Sequence, residues 1–574
     1  MLLYCLTVAM VFTHMVACKT DPKESEFTLR IRIREDVDCL HPIVSQSTLA
    51  TQIEALVMLP MIEFSPDSLE LSPLLVENVP EVSQTTDSSI WYRTTIRKEA
   101  QWDDGKSIQA NDYVFTVKAA LNPYLKNPSW RSFLKNIQTI QVDSSNPREI
   151  NVEVSRNYML GKEASGNVNL YPEHIYDPER IMQTFSLSDL VHRDSSHWSV
   201  QEHERLKRFA DQFESATYCK NGIQGAGPYR LKSWESGSKI VLERKQNWWG
   251  KNFEHLSPML QSKPNTIEYL VMPDEAASIL AVKEGSVDLM TDISPKQYSD
   301  LRKDSVNNPQ LKFLTASHFQ YSILELNLRN PILSEWPVRK ALAHLADVET
   351  YIRDLMQGLA DPVTGPVLQS KPYYNRNLEP VKFDPVKSKE LLMQNGWSDS
   401  DSDGWLDKVI GGKKMKLSLR FLVSGAVSKN IAILMKEEAR KIGIEIIPET
   451  KEASLLRNDI NSRNFDILSA TITQQVTSFY DPYQSFHSSA SKPGGGNRSG
   501  LQSPLVDSLI IGIRTTQQND LRHQYYLDFQ KAIYELQPQI YLFSPNERLL
   551  VNSRIVMNTI HRRPGYLENT IRLK

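Results

Sequence analysis

A chain of 574 residues is long enough for roughly three or four domains. With 66 basic against 68 acidic residues its net charge is −2, which excludes a bulk electrostatic pull onto nucleic acid or anionic lipid. Hydrophobic residues at 40% and charged ones at 23% fit an ordinary globular protein.

In chain order, residues 2–17 form a short apolar run that ends in Met15-Val16-Ala17-Cys18, small residues before a cysteine as at a bacterial lipoprotein cleavage site. The run falls short of the roughly 20 residues of a comfortable membrane-spanning helix. Residues 1–17 therefore read as a signal peptide, Cys18 as the lipidated first residue and 18–26 as a tether. An uncleaved or mis-started N-terminus is the other reading, since no Lys or Arg precedes the run and Met15 stands where leucine is usual. Residues 27–34 alternate apolar and polar as a half-buried strand does, and 90–97 read as another. The turn at Asp104-Gly105 follows, after which Asn111 or Asp112 caps a helix that reaches Leu121 and stops before Pro123. Residues 276–284 form a helix with Gly285 as its left-handed stop, and 287–290 return as a strand. Pro337 opens a helix with Val338, Ala341, Leu342 and Leu345 on one face, and Asp384-Pro385 starts another with Leu391 and Leu392 inward. Residues 416–423, 430–441 and 444–447 read as a βαβ unit. Residues 465–471 form a strand that leads through 472–480 to Asp481-Pro482.

Motifs that could carry chemistry are weak. The run from Asp399 to Gly404 alternates carboxylates as a calcium loop does, but Ile410 stands where such a loop needs a bidentate Glu, so a solvated turn is preferred to a weak calcium site. His192, His197 and His203 have spacings that fit neither one helix face nor a zinc pattern. The segment from Gly494 to Arg498 lacks the ending of a phosphate loop, and no Gly-x-Ser-x-Gly elbow occurs. No catalytic residue, metal or cofactor is expected.

The stretch from Gly225-Ala226-Gly227-Pro228-Tyr229 to Trp248-Trp249 resembles the turn and hairpin of the periplasmic solute-binding proteins that serve peptide-type ABC importers, the peptide, oligopeptide and nickel family. Trp102, Asp104, Gly105, Ala110, Asp112, Asn327 and Arg339 match its scaffold signatures in order, and the resemblance spans essentially the whole chain beyond the signal. It implies an α/β, bilobal periplasmic-binding-protein fold of mixed sheets with an additional inserted lobe. Lobe I would comprise 27–62, 211–293 and 536–574, lobe II 63–210 and lobe III 294–535. The resemblance implies a monomer tethered by lipid in the periplasm or cell envelope, which captures a peptide or related small solute and delivers it to an inner-membrane ABC permease. An oligosaccharide, opine or metal chelate is the alternative solute; a sensory lipoprotein and an envelope hydrolase are less favoured.

The same topology places Cys39 and Cys219 in one lobe, where an oxidising envelope favours a disulfide, two inert buried thiols being the other reading. Ser45, Tyr321, Gln474, Gln475, Thr477, Ser478, Phe479 and Tyr480 are the expected ligand-binding residues. In peptide-binding members an aspartate three positions before the Asp/Glu-Pro pair takes the α-ammonium group; here that position is Ser478. A hydroxyl supplies no counter-charge, so either the solute lacks an ammonium group or another carboxylate takes the role.

Overall fold

The alternation at 27–34 does become a strand, Thr28–Ile33, and it runs through the middle of a sheet because Leu29, Ile31 and Ile33 are buried. The computed structural model describes residues 26–574 apart from 46, 67, 127, 475, 476, 478, 493, 494 and 517. The expected signal peptide, Cys18, Gln475 and Ser478 lie outside the described residues.

Thr28–Ile33 pairs in parallel with Thr266–Val271 on one side and Leu289–Met290 on the other. The order across this eight-stranded sheet is Leu311–Ser317, Phe543–Asn552, Leu289–Met290, Thr28–Ile33, Thr266–Val271, Lys239–Arg244, Tyr229–Glu235, with Ala360–Pro362 beside Phe543–Asn552. The start, middle and end of the chain thus share one sheet. Leu311–Ser317, in the segment expected to open lobe III, pairs here because its partner strand Phe543–Asn552 runs antiparallel along its whole length. A second, antiparallel sheet has the order Glu81–Thr85, Ser89–Thr95, Glu149–Ser155, Ile137–Val142. The third has the order Glu445–Thr450, Ser418–Val423, Ile467–Thr473, Gln320–Leu326, Gln539–Tyr541, and the parallel strands Ser418–Val423 and Glu445–Thr450 are bridged by the helix Ala426–Lys441, the expected βαβ unit.

One hydrophobic cluster runs through the first two sheets, from Leu29 and Ile31 to Tyr92 and Val152. The third sheet has separate clusters, around Phe421 and Val338 and around Tyr321 and Phe529. The molecule is therefore bilobal: two sheets build one body and the third sheet the other. Two crossings run side by side between them. Leu311–Ser317 continues through His318 and Phe319 into Gln320–Leu326, and Gln539–Tyr541 continues through Leu542 into Phe543–Asn552. Ser544 Oγ donates to the Gln320 carbonyl at 2.7 Å and Leu542 N to Ser322 O at 3.0 Å, which holds the crossings together.

The glycine-rich turn fixes the helix that will matter most. Gly227 N donates to Val57 O at 2.8 Å, and a Cβ on Gly227 would lie 2.5 Å from Leu56 O, so the turn lies flush against the end of the helix Thr48–Val57. The indole N–H groups of Trp248 and Trp249 clamp the turn by donating to Ala226 O at 2.9 and 3.1 Å. The helix expected to begin at Asn111 or Asp112 starts earlier, Ala110–Ala120 with Gln109 as its cap. Asp112 sits in the first turn, where its carboxylate accepts Gln109 N at 2.9 Å, a capping box, and Trp102 Nε1 at 3.3 Å. Helix Glu275–Glu284 ends at Gly285 with φ 78°, as expected.

Candidate functional site

Between the two bodies lies a cavity of about 840 Å³. One wall is the helix Thr48–Val57 with the loop before it, which present Ser45, Thr48, Gln52 and Glu54. The second sheet's body adds Phe64, Glu163 and Asn167, and the crossing residues His318, Phe319 and Gln320 line it at the join. Thr473, Gln474 and Thr477 face it from the third sheet, and His561, Arg562 and Arg563 come from the C-terminal segment. A further chamber of about 750 Å³ shares Phe64 and Glu163 with the first and is also lined by Phe479.

Three carboxylates stand on this wall, and burial treats them differently. Glu63 lies 3.5 Å from Arg562 and accepts Asn167 Nδ2 at 3.1 Å, so its charge is matched. Glu54 is 1% exposed; burial, with the Asp38 carboxylate adding to it, pushes its carboxyl up to about 8. Beside it in the fold, His41 is held neutral, pushed down to about 3 by burial, while Nδ1 lies 3.1 Å from Tyr171 Oη. Glu163 is 6% exposed and pushed up to about 7 by burial, against the opposing pull of Lys162 and Arg522. His318, also buried, is pushed down to about 4 by burial and by the Arg563 and His561 charges. Glu54, Glu163 and His318 on the cavity wall are thus biased toward their neutral forms, while Arg562 and Arg563 bring positive charge to it.

Of the expected residues, the cavity brings together Ser45, Gln474 and Thr477. Ser45 Oγ is spent on Asp38 Oδ1 at 2.8 Å, and Gln474 Nε2 donates to Pro366 O. Thr477 Oγ1 donates to Phe479 O, while its carbonyl receives Lys371 Nζ, whose ammonium lies 4.2 Å from the centre of the Phe319 ring. Phe479 stands on the second chamber and stacks on Tyr373 with ring centres 5.8 Å apart. The structure puts Tyr321 and Tyr480 elsewhere, in the packing of the third body: Tyr321 is 1% exposed because it falls on the buried face of its strand, and the Tyr480 backbone is tied to Tyr526 Oη. Cys39 and Cys219 are joined in a disulfide. Among the described residues, the one cluster of three acidic or imidazole groups close enough to share an ion is Asp399, Asp401 and Asp403, all exposed, with Lys414 2.6 Å from Asp401. The histidines 192, 197 and 203 do not converge; His203 bonds Tyr124 instead.

Sequence reasoning missed Glu54 and Glu163. Glu54 had a signal, since it occupies the buried face of its helix at helical spacing from Ala50 and Val57. Glu163 had none, lying in a four-residue helix, Gly161–Ala164, whose burial is decided by distant segments.

Residues 70–497 match the model of the bacterial extracellular solute-binding proteins, family 5 Middle. The chain belongs to that family. Its members are binding proteins. The oligopeptide-binding protein AppA of Bacillus subtilis (strain 168) is 25% identical over 491 residues, 84% of this chain and 80% of that one. The nickel-binding periplasmic protein of Escherichia coli (strain K12) is 26% identical over 326 residues, 55% and 59%. The structure of AppA from Bacillus subtilis in complex with a nonapeptide matches with a TM-score of 0.73 at 21% identity, over 96% of this chain and 99% of that one. NikZ from Campylobacter jejuni in complex with Ni(L-His) gives 0.71 at 21% identity, over 96% and 98%. These solved structures share the bilobal fold of this solute-binding protein. No helix among its described residues is long and apolar enough to cross a membrane.

Proposed function

We propose that this solute-binding protein captures a peptide between its two bodies and delivers it to the permease of an ABC importer, working as a monomer tethered to the envelope membrane by lipid on Cys18. In this reading the lobes keep the expected divisions, except that the third runs from the crossing at His318 and Phe319 to the one at Leu542, because Gln539–Tyr541 pairs within its sheet. The observation that carries the reading is the cavity of about 840 Å³, large enough for several residues of peptide, with walls drawn from both bodies. A ligand that touches both walls favours the closed arrangement by its differential affinity for it, and the crossings beside Phe319 and Leu542 are where the bodies turn. Asn167, Gln320 and Gln474 on the wall suit main-chain amides, which are common to all peptides and give sequence-tolerant affinity. Relatives named for oligopeptides agree with this reading.

Melting of the purified protein with pools of short peptides and, separately, oligosaccharides tests it. Peptides at about 100 times Kd should stabilise by about 2.7 kcal/mol and raise Tm, with a smaller radius of gyration in X-ray scattering. Stabilisation by oligosaccharides alone would replace the peptide by a sugar.

A further inference from the structure

We propose that the second chamber of the cleft is a subsite for an apolar side chain of the solute, and that Leu69, Met159 and Phe479 set that preference. The inference rests on the peptide reading above and narrows it to peptides with a large aliphatic or aromatic residue at one end. The chamber shares Phe64 and Glu163 with the first cavity, so an extended chain that fills the first reaches the second. At about 750 Å³ it is pocket-sized in its own right. The two linings differ. Arg562, Arg563 and the amides of Asn167, Gln320 and Gln474 face the first cavity. Phe64, Leu69, Leu71, Val79, Met159 and Phe479 face the second and, among the described residues, no arginine, histidine or side-chain amide lines it with them. Its charge is limited to Glu70 and Lys162, of opposite sign, and to Glu163, which burial biases toward the neutral form. Of the six apolar residues only Phe64 is fully buried. The other five keep exposed surface that an apolar occupant covers, and removing such area from water favours binding.

The backbone at Leu69 is the second observation. This residue lies in the turn that joins the paired strands Ile62–Phe64 and Leu71–Pro73, with φ 58°, in the left-handed region where a leucine is an outlier. Ser65 N donates to Glu70 O at 2.8 Å and Leu69 N to Ser65 O at 3.1 Å, which closes the turn. Glycine or asparagine adopts this backbone at less cost, so the turn alone does not account for a leucine. Its side chain does: Leu69 and Met159 come from the body of the first two sheets, yet both pack against the hydrophobic cluster of the third. Strain held in this way is typical of ligand clamps. Phe479 faces the chamber from the third body as a braced ring, since it stacks on Tyr373, and Tyr373 stacks on Tyr526 with ring centres 4.5 Å apart. The Arg522 guanidinium lies over the Phe479 ring but is spent on Thr516 O and Asn519 Oδ1.

The test titrates thermal stabilisation of the purified protein at neutral pH with three hexapeptide pools: one built from Gly, Ser, Asn and Gln alone, one with Phe or Leu added at the N-terminal position, and one with Phe or Leu at the C-terminal position. One of the apolar-ended pools should bind roughly 10- to 100-fold more tightly than the all-polar pool. The double variant Leu69→Asn with Met159→Gln, which keeps a residue suited to positive φ at 69, should bring that ratio to within a few-fold of one, whereas Met159→Leu, close in volume, should retain it. A ratio near one on the parent protein, or an undiminished ratio in the double variant, would overturn the inference and leave the peptide reading standing. Stabilisation by none of the pools would overturn both. Should the double variant fail to fold, Phe479→Asn on the opposite wall carries the same expectation, and an undiminished ratio there overturns the inference equally.

Discussion

Glu54 shows how one buried acid on the cleft wall ties stability to pH. Its carboxyl is raised to about 8 by burial first and by Asp38 second, against an ordinary value of 4.5. Because the folded value lies above the unfolded one, folding takes up a proton between about pH 4.5 and 8. The stability this residue contributes is complete below 4.5 and lost as pH rises through about 8. At about 1.4 kcal/mol per pKa unit the loss reaches a few kcal/mol. Glu54→Gln has no proton to give up, so the Tm difference between the variant and its parent should grow more positive from pH 4.5 to 8 in the absence of solute. A difference that stays flat with pH would show that Glu54 is ionised and compensated in the folded protein. His41 acts in the opposite direction: burial pushes it down to about 3, so its contribution fades as pH falls below 6.5, and the substitution leaves that acid limb in place.

At the scale of elements, the cleft depends on a helix positioned by a turn far away in sequence. A Cβ at Gly227 would stand 2.5 Å from Leu56 O and 2.7 Å from Val57 C, both backbone atoms that have no rotamer to change. Gly227→Ala should therefore push the end of the helix Thr48–Val57 away, destabilising the protein by about 1–3 kcal/mol. It should also weaken solute binding, because the same helix presents Thr48, Gln52 and Glu54 to the cavity. Chemical denaturation and the thermal titration measure the two effects; a loss of stability with unchanged affinity would mean that the helix recovers its place. This contact also shows what the sequence could and could not tell. The glycine-proline-tyrosine run and the hairpin after it were legible through the family resemblance, and the βαβ unit and the helix ending at Gly285 because periodicity and turn chemistry are local. The start of the helix Ala110–Ala120 was misread since Asp112 is a cap-like residue used one turn inward. The site was the least legible part. Tyr321 and Tyr480 have the composition of a binding surface yet pack into the third body's core, and Glu163 becomes interesting only once segments from both bodies bury it.

At the scale of the whole molecule, the disulfide Cys39–Cys219 closes a loop over a sequence separation of 180 residues. All four strands of the second sheet, from Glu81–Thr85 to Glu149–Ser155, lie inside that loop. Its two ends are also held by a backbone bond, Leu40 N to Cys219 O at 2.8 Å, so the segment that carries the second sheet is closed at one pinned point. Cross-linking a loop of this length restricts the unfolded ensemble and contributes about 2–5 kcal/mol. Neither cysteine lines the cavity, although Pro42 and Ser45 follow Cys39 closely on its wall. The paired substitution Cys39→Ser with Cys219→Ser should thus lower Tm and speed amide exchange chiefly through the first two sheets, while affinity measured well below the new Tm stays within a few-fold of the parent. If exchange quickens equally in the third sheet, the two bodies unfold as one unit. The shared cluster of the first two sheets and the separate clusters of the third argue for the selective outcome, since cooperative unfolding follows shared buried contacts.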